Sequence, residues 1–216
     1  KNLISFIRSF DNSPELFILQ KTIEKGFLIA DIRIDFDRNG KIKNNFQING
    51  FIKDAKLSFL KKYNIQKLDL IFDYQENDLN LSEISFLLND FNFLSDKVSF
   101  KKVNNNFFIK GNINHKIINI DEKKIDLFVK PFFPKFGFKT IKFSSNNSFL
   151  LEISKKFKLN NFEIKSEMLI DESSIINNFD LKDIFPDIKK NITFSDNKLS
   201  IEFKKNYFNI NGKGNI

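Results

Sequence analysis

Ala30-Asp31-Ile32-Arg33-Ile34-Asp35-Phe36-Asp37-Arg38-Asn39-Gly40-Lys41-Ile42-Lys43-Asn44-Asn45-Phe46-Gln47-Ile48-Asn49-Gly50-Phe51-Ile52 is the stretch that decides the fold. Its first half puts Ile32, Ile34 and Phe36 on one parity and Asp31, Arg33, Asp35 and Asp37 on the other, which is a strand with an apolar and a wet face. Asp37-Arg38-Asn39-Gly40 turns the chain, because Asn and Gly tolerate the positive φ of a tight hairpin. The return strand carries Ile42, Phe46, Ile48 and Ile52 against Lys41, Lys43, Gln47 and Asn49.

The same period of two recurs from Phe27 onward. Runs such as Leu68-Leu70-Phe72-Tyr74, Leu79-Leu81, Ile84-Phe86-Leu88, Phe107-Ile109-Ile113, Phe149-Leu151-Ile153 and Leu199-Ile201-Phe203 are separated by polar turns. About fifteen strands are expected on this reading. The fold class that follows is mainly β: a long antiparallel amphipathic sheet curled into a groove, taco-like or an open barrel, with a short N-terminal helix. The helix is expected over Pro14 to Lys25, started by Ser13-Pro14-Glu15 and stopped by Gly26. Lys1 to Phe10 fits a helical face as well. Residues 1–26 then form an N-terminal helical segment and 27–216 a repetitive β-groove domain, with a short helical excursion at Asp180 to Pro186. The chain starts at Lys1 and ends on a strand-like Gly212 to Ile216, so it is expected to be a fragment of a longer chain.

Composition narrows the function. There are 29 Phe, no Trp, no Cys and one His among 216 residues, with a net charge of +8. Abundant Lys, Asn, Ile and Phe are what AT-rich codons supply, which discounts the charge as a signal for anionic partners. Lysine pairs are scattered, and scarce Arg weighs against bidentate recognition of bases or phosphates. Without Cys there are no disulfides, thiol nucleophiles or Cys-based metal sites. No apolar run approaches the roughly 18 residues needed to cross a bilayer, and no signal peptide is visible.

Catalytic constellations are absent by the same reading. Asp35-x-Asp37-x-Asn39-Gly40 opens like an EF-hand loop, but Phe46 occupies the twelfth position where a bidentate Glu belongs. His115 is read as a solvent-facing strand residue. Asp121-Glu122 and Asp171-Glu172 are placed at turns. No cofactor, metal or nucleic acid is expected, and no enzyme activity.

Phe46-x-Ile48-x-Gly50, Phe107-x-Ile109-x-Gly111 and Phe208-x-Ile210-x-Gly212 share one pattern, with glycine on the apolar parity. Such a glycine suits a bend or a close approach by something lying on the sheet; a β-bulge is the other reading. One or two short helices cannot cover so much apolar sheet, so the sheet must close on itself or leave room for hydrocarbon.

Gly40-Lys41-Ile42 leading to Phe46-x-Ile48-x-Gly50-x-Ile52-Lys53-Asp54-Ala55-Lys56-Leu57, followed by Ile65-x-x-Leu68-x-Leu70-x-Phe72-x-Tyr74 and Leu79-x-Leu81-x-x-Ile84, resembles the repeat region of the AsmA-like superfamily, notably its YhdP- and TamB-type members. The resemblance spans residues 26 to 216. It implies an inner-membrane-anchored, periplasm-spanning β-groove that carries phospholipid toward the outer membrane of a Gram-negative bacterium, with the anchor outside this segment. The partners it implies are phospholipid acyl chains, and inner and outer membrane proteins at the ends of the parent chain. The residues expected to line the groove are Ile32, Ile34, Phe36, Phe46, Ile48, Ile52, Leu68, Leu70, Phe72, Phe107, Ile109, Ile113, Phe208 and Ile210. The alternative is a closed β-sandwich that acts through protein contacts in outer-membrane protein assembly, by strand addition at its sheet edges.

Overall fold

The computed structural model describes residues 5, 17, 20–41, 43, 47–59, 63–75, 78–88, 91–123, 125, 137–176, 186–187 and 189–215. Ten strands run from β1 (Ile23–Arg33) through β2 (Gln47–Phe59), β3 (Tyr63–Gln75), β4 (Asp78–Leu88), β5 (Phe91–Val103), β6 (Asn106–Asp121), β7 (Gly137–Ser154), β8 (Leu159–Ile176) and β9 (Asn191–Lys204) to β10 (Tyr207–Asn215). They form one antiparallel sheet in strict sequence order, not closed into a barrel. The order follows from connection length, since pairs such as Gln75 with Asp78, Leu88 with Phe91 and Lys204 with Tyr207 leave two residues for each turn. The chain divides into two compact units, Lys1–Ile113 with Leu150–Asn161, and Asn114–Phe149 with Phe162–Ile216.

Among the described residues the strand count is ten and not fifteen, because bulges hide inside strands. In the first unit, β1 to β4 each carry one residue in the left-handed region: Gly26 (φ 147°), Asp54 (45°), Lys67 (50°) and Glu83 (50°). Register shifts occur at the same places, around Lys25, Ala55 and Asp69. Each bulge inserts one residue and so moves the apolar positions to the other parity. Ile48 and Ile52 give way to Ala55 and Leu57, and Leu79 and Leu81 to Ile84 and Phe86, without leaving the face.

That seam is where burial concentrates. Ala55, Leu68, Leu70 and Ile84 form the buried cluster, with Ile52, Leu57, Ile65, Phe72, Leu81, Phe86 and Val98 packed around it. Polar groups lock its back. The Asp54 amide donates to Asp69 Oδ1 at 2.7 Å, and Lys25 Nζ reaches Asp54 Oδ2 at 2.9 Å.

Several expectations change. Among the described residues Phe17 and Gln20 to Thr22 are helical, but β1 begins at Ile23, so Gly26 does not stop a helix and sits inside a strand. Most of the expected helix, Lys1 to Phe10 apart from Ser5, and Asp180 to Phe185 lie outside the described residues. The first hairpin forms with its register centred on Gly40, as Arg33 pairs with Gln47 and Ile32 with Ile48. Its strands are shorter than the alternation suggested. β1 ends at Arg33 and β2 starts at Gln47; Asp37 spends its carboxylate on the turn, accepting from the amides of Asn39 (2.8 Å) and Lys41 (2.9 Å). Asp171 and Glu172 lie in the middle of β8 and not at a turn, and Asp171 pairs with Lys142 at 3.3 Å.

Candidate functional site: the apolar face of the open sheet

In the first unit the registers assemble the apolar positions into rows that cross the strands. Ile32, Ile48, Tyr74, Leu79 and Phe100 stand directly opposite one another in turn from β1 to β5. The adjacent row on this face is Ala30, Gly50, Phe72, Leu81 and Val98. With strands about 4.8 Å apart, a five-strand row is roughly 19 Å long.

Cover over these rows is uneven. Leu68 and Leu70 are each 8% exposed and belong to the structural cluster, whereas Ile32 on the edge strand is 54% exposed. Ile34 and Phe36 are also exposed, and Ile48, Ile52, Phe72, Phe107, Ile109 and Ile113 are half-buried. Phe46 lies outside the described residues. No described side chain in the whole chain falls below 2% exposure. Burial pushes the Tyr74 phenol, in the middle of the Ile32-to-Phe100 row, above its ordinary pKa.

The glycine pattern divides: a Cβ would clash with the neighbouring strand at Gly50 but would meet only ordinary contact at Gly212, 3.5 Å from Leu199 Cδ1. Gly50 and Gly212 sit in unbroken register, so neither is a bulge. A Cβ on Gly50 would run into the backbone of Ile29 and Ala30 on β1. What the alternation concealed is a second apolar patch on the opposite face, where Ile29, Phe51 and Ile71 pair across β1 to β3 beside Phe27, all of them exposed.

In the second unit the same construction appears with different residues. Ile164, Phe203 and Phe208 form one row across β8, β9 and β10, and Ser166, Ile201 and Ile210 the next. The rings of Phe162, Phe203 and Phe208 meet edge to face at 4.8 and 5.7 Å. Phe208 is 58% exposed, and Ile210 and Phe203 are exposed as well. Polar groups interrupt this face: Ser166 Oγ donates to Asn147 Oδ1 at 2.6 Å, and Asn147 Nδ2 donates to Ser145 Oγ at 3.0 Å.

The reverse face of these strands is charged. Glu163, Lys165, Glu202 and Lys204 form a cross-strand network with contacts of 2.8 to 3.8 Å. Hydrogen bonding from Lys165, with Lys204 nearby, holds the Glu163 carboxyl below its usual range. Hydrogen bonding to Glu202, with Glu163 beside it, raises Lys204.

A hollow of about 630 Å³ lies over β7 to β10. Its lining takes three successive rows, Glu167-Ser200-Asn211, Met168-Leu199-Gly212 and Leu169-Lys198-Lys213. Met168, Leu199 and Gly212, of the parity that carries the apolar rows, line the hollow together with polar residues of the other parity.

Among the described residues no group of three His, Asp or Glu side chains could hold a metal ion. His115 is half-buried, not solvent-facing, with its ring 6.4 Å from that of Phe143. No helix among the described residues is long and apolar enough to cross a membrane. Comparison with known proteins gives no matching family model, no matching curated protein and no matching solved structure.

Proposed function

We propose that this chain holds phospholipid acyl chains on the apolar face of its sheet, as one non-enzymatic segment of a periplasmic protein that carries phospholipid between the inner and outer membranes. The observation that carries the reading is the set of in-register apolar rows left partly open, from Ile32 to Phe100 in one unit and Ile164 to Phe208 in the other. A row of roughly 19 Å exceeds the ~15 Å occupied by one leaflet of a bilayer core, so a tail laid along it finds apolar contact over its length. Burying hydrocarbon is worth about 0.8 kcal/mol per methylene and has no preferred direction. A lining of Ile, Leu, Phe and Val offers similar energy at many offsets, which lets a tail slide.

Leu68 and Leu70 enter this proposal as support beneath the rows. The exposed and half-buried residues Ile32, Ile48, Phe72, Phe208 and Ile210 do the holding. The experiment is organic extraction of the purified, folded chain, followed by displacement of a fluorescent fatty acid. Stoichiometric phospholipid, reduced by Ile32→Asp and by Phe208→Asp with the circular dichroism spectrum unchanged, is the expected result. Folded protein free of lipid and unable to take up the probe would overturn it.

A further inference from the structure

We propose that the hollow over β7 to β10 anchors the oxygen-bearing end of an acyl chain, with the Ser145 hydroxyl donating to a carboxylate or ester carbonyl oxygen. The inference rests on the acyl-chain reading above and gives it a position. Four residues of the apolar parity meet in the hollow, one from each strand: Ser145, Met168, Leu199 and Gly212. The last three stand directly opposite one another. Lys142 with Asp171 and Asn147 with Ser166 lie equally far apart along β7 and β8, which sets Ser145 opposite Met168. The row thus has a hydroxyl at one end, two apolar side chains in the middle and no side chain at the other end.

Ser145 is the polar end, and it is only 6% exposed. Its oxygen accepts from Asn147 Nδ2 at 3.0 Å, while Asn147 Oδ1 accepts from Ser166 Oγ at 2.6 Å. The chain of donors therefore runs toward Ser145 and leaves it with a hydrogen to give. Among the described residues that hydrogen has no acceptor. A buried hydroxyl that cannot donate costs free energy, which an oxygen brought by a ligand recovers.

Gly212 supplies the room. Glycine inside a strand marks a bulge, a barrel corner, or a close approach by another backbone or a ligand. Here the register is unbroken from Tyr207 to Lys213, the sheet is not closed into a barrel, and φ lies outside the left-handed region. A Cβ would meet only Leu199 Cδ1 at 3.5 Å and Lys198 O at 4.0 Å, so packing does not demand glycine as it does at Gly50. Of those causes a ligand is the one left. The volume of about 630 Å³ falls in the range of small-molecule sites, roughly 300 to 1,000 Å³. Beyond the hollow on the same face lie Ile201 and Ile210, then Phe203 and Phe208, over which hydrocarbon continues. Lys198 and Lys213 outnumber Glu167 in the lining, so an anionic end meets no net repulsion.

The test adds dodecanoate or its methyl ester, each ¹³C-labelled at the carbonyl carbon, to the full chain and follows uptake and the carbon resonance. A bound component moved downfield by hydrogen bonding is expected for the wild type. Ser145→Ala should abolish that displacement and weaken binding of the component roughly two- to tenfold. Gly212→Val should fill the hollow and remove the component, while its urea midpoint stays at or above the wild-type value; Gly212→Ala is the smaller variant if valine disturbs the fold. A component from the acid alone identifies a free fatty acid as the source, from the ester alone an esterified lipid, and either supports the site. Uptake without that component, or a component that both variants retain, would overturn the site and leave the acyl-chain reading standing. No uptake of either probe would overturn both.

Discussion

Gly26 on β1 lies directly against Ala55 on β2: a Cβ added to Gly26 would be 2.8 Å from the Ala55 Cβ and 2.9 Å from its Cα. Gly26 also has a φ of 147°, which L side chains rarely adopt. Conformation and space thus both demand glycine there, at the edge of the buried cluster. Gly40, at φ 77° in the turn, has open space around it. Gly26→Ala is therefore expected to destabilise by more than Gly40→Ala, whose cost is confined to backbone strain of about 1 to 2 kcal/mol. Urea melts of the two variants measure the difference, and equal midpoints would show that the contact with Ala55 carries no strain.

The alternation of apolar and polar residues from Ala30 to Phe36 made the first hairpin legible, and its register centres on Gly40, although β1 ends at Arg33 and Ile32, Ile34 and Phe36 are exposed. What could not be read was how a strand continues through a change of parity. Leu81 and Ile84 sit three apart, which the period of two reads as two strands, yet Glu83 in the left-handed region absorbs the extra residue within β4. Left-handed Asp, Lys and Glu leave little trace in composition, whereas Gly26 is visible in the sequence but reads as a helix end. The apolar rows were legible by parity, but their degree of cover was not. Leu70 and Ile32 share a period and differ in burial because one is central and the other lies on an edge strand.

That difference gives opposite expectations for the two residues. Leu70→Ala removes methylenes from the cluster around Ala55 and Ile84 and should cost about 2 to 5 kcal/mol. Ile32→Ala, on an exposed edge position, should cost less than about 1 kcal/mol, since most of its surface is already wet. Under the proposed function the ranking inverts for uptake of a fluorescent fatty acid, where the Ile32 variant loses affinity while remaining folded. Denaturant midpoints and probe titrations on the same samples separate the two effects.

Charge on the reverse face of β8 to β10 sets a pH dependence of known sign. Glu163 is held below its ordinary pKa by Lys165 first and by Lys204, so whatever it contributes is present above the ordinary Glu value and is lost as pH falls through the lowered one. Lys204 is raised by Glu202 first and by Glu163. Its contribution is complete below the ordinary Lys value and is lost as pH climbs through the raised one. Lys165→Met should move the Glu163 carboxyl resonance titration back toward the usual range. Salt at about 1 M, where the screening length is ~3 Å, should do so in part. A Glu163 midpoint indifferent to both would remove the network as its cause.

Tyr74 offers a probe of the apolar face from within. It stands between Ile48 and Leu79 in the five-strand row, and burial raises its phenol above the ordinary value. The folded state thus keeps the proton that the unfolded state gives up, so stability should fall as pH rises from about 10 toward the raised value. Alkaline ultraviolet titration should show a late phenol component that Tyr74→Phe removes. Saturation with a fatty acid should move that component later still, because a tail lying along Ile48, Tyr74 and Leu79 withdraws more water from the ring. A Tyr74 titration unchanged by fatty acid that demonstrably binds would place the tail elsewhere, on the Ile29-Phe51-Ile71 patch or in the second unit.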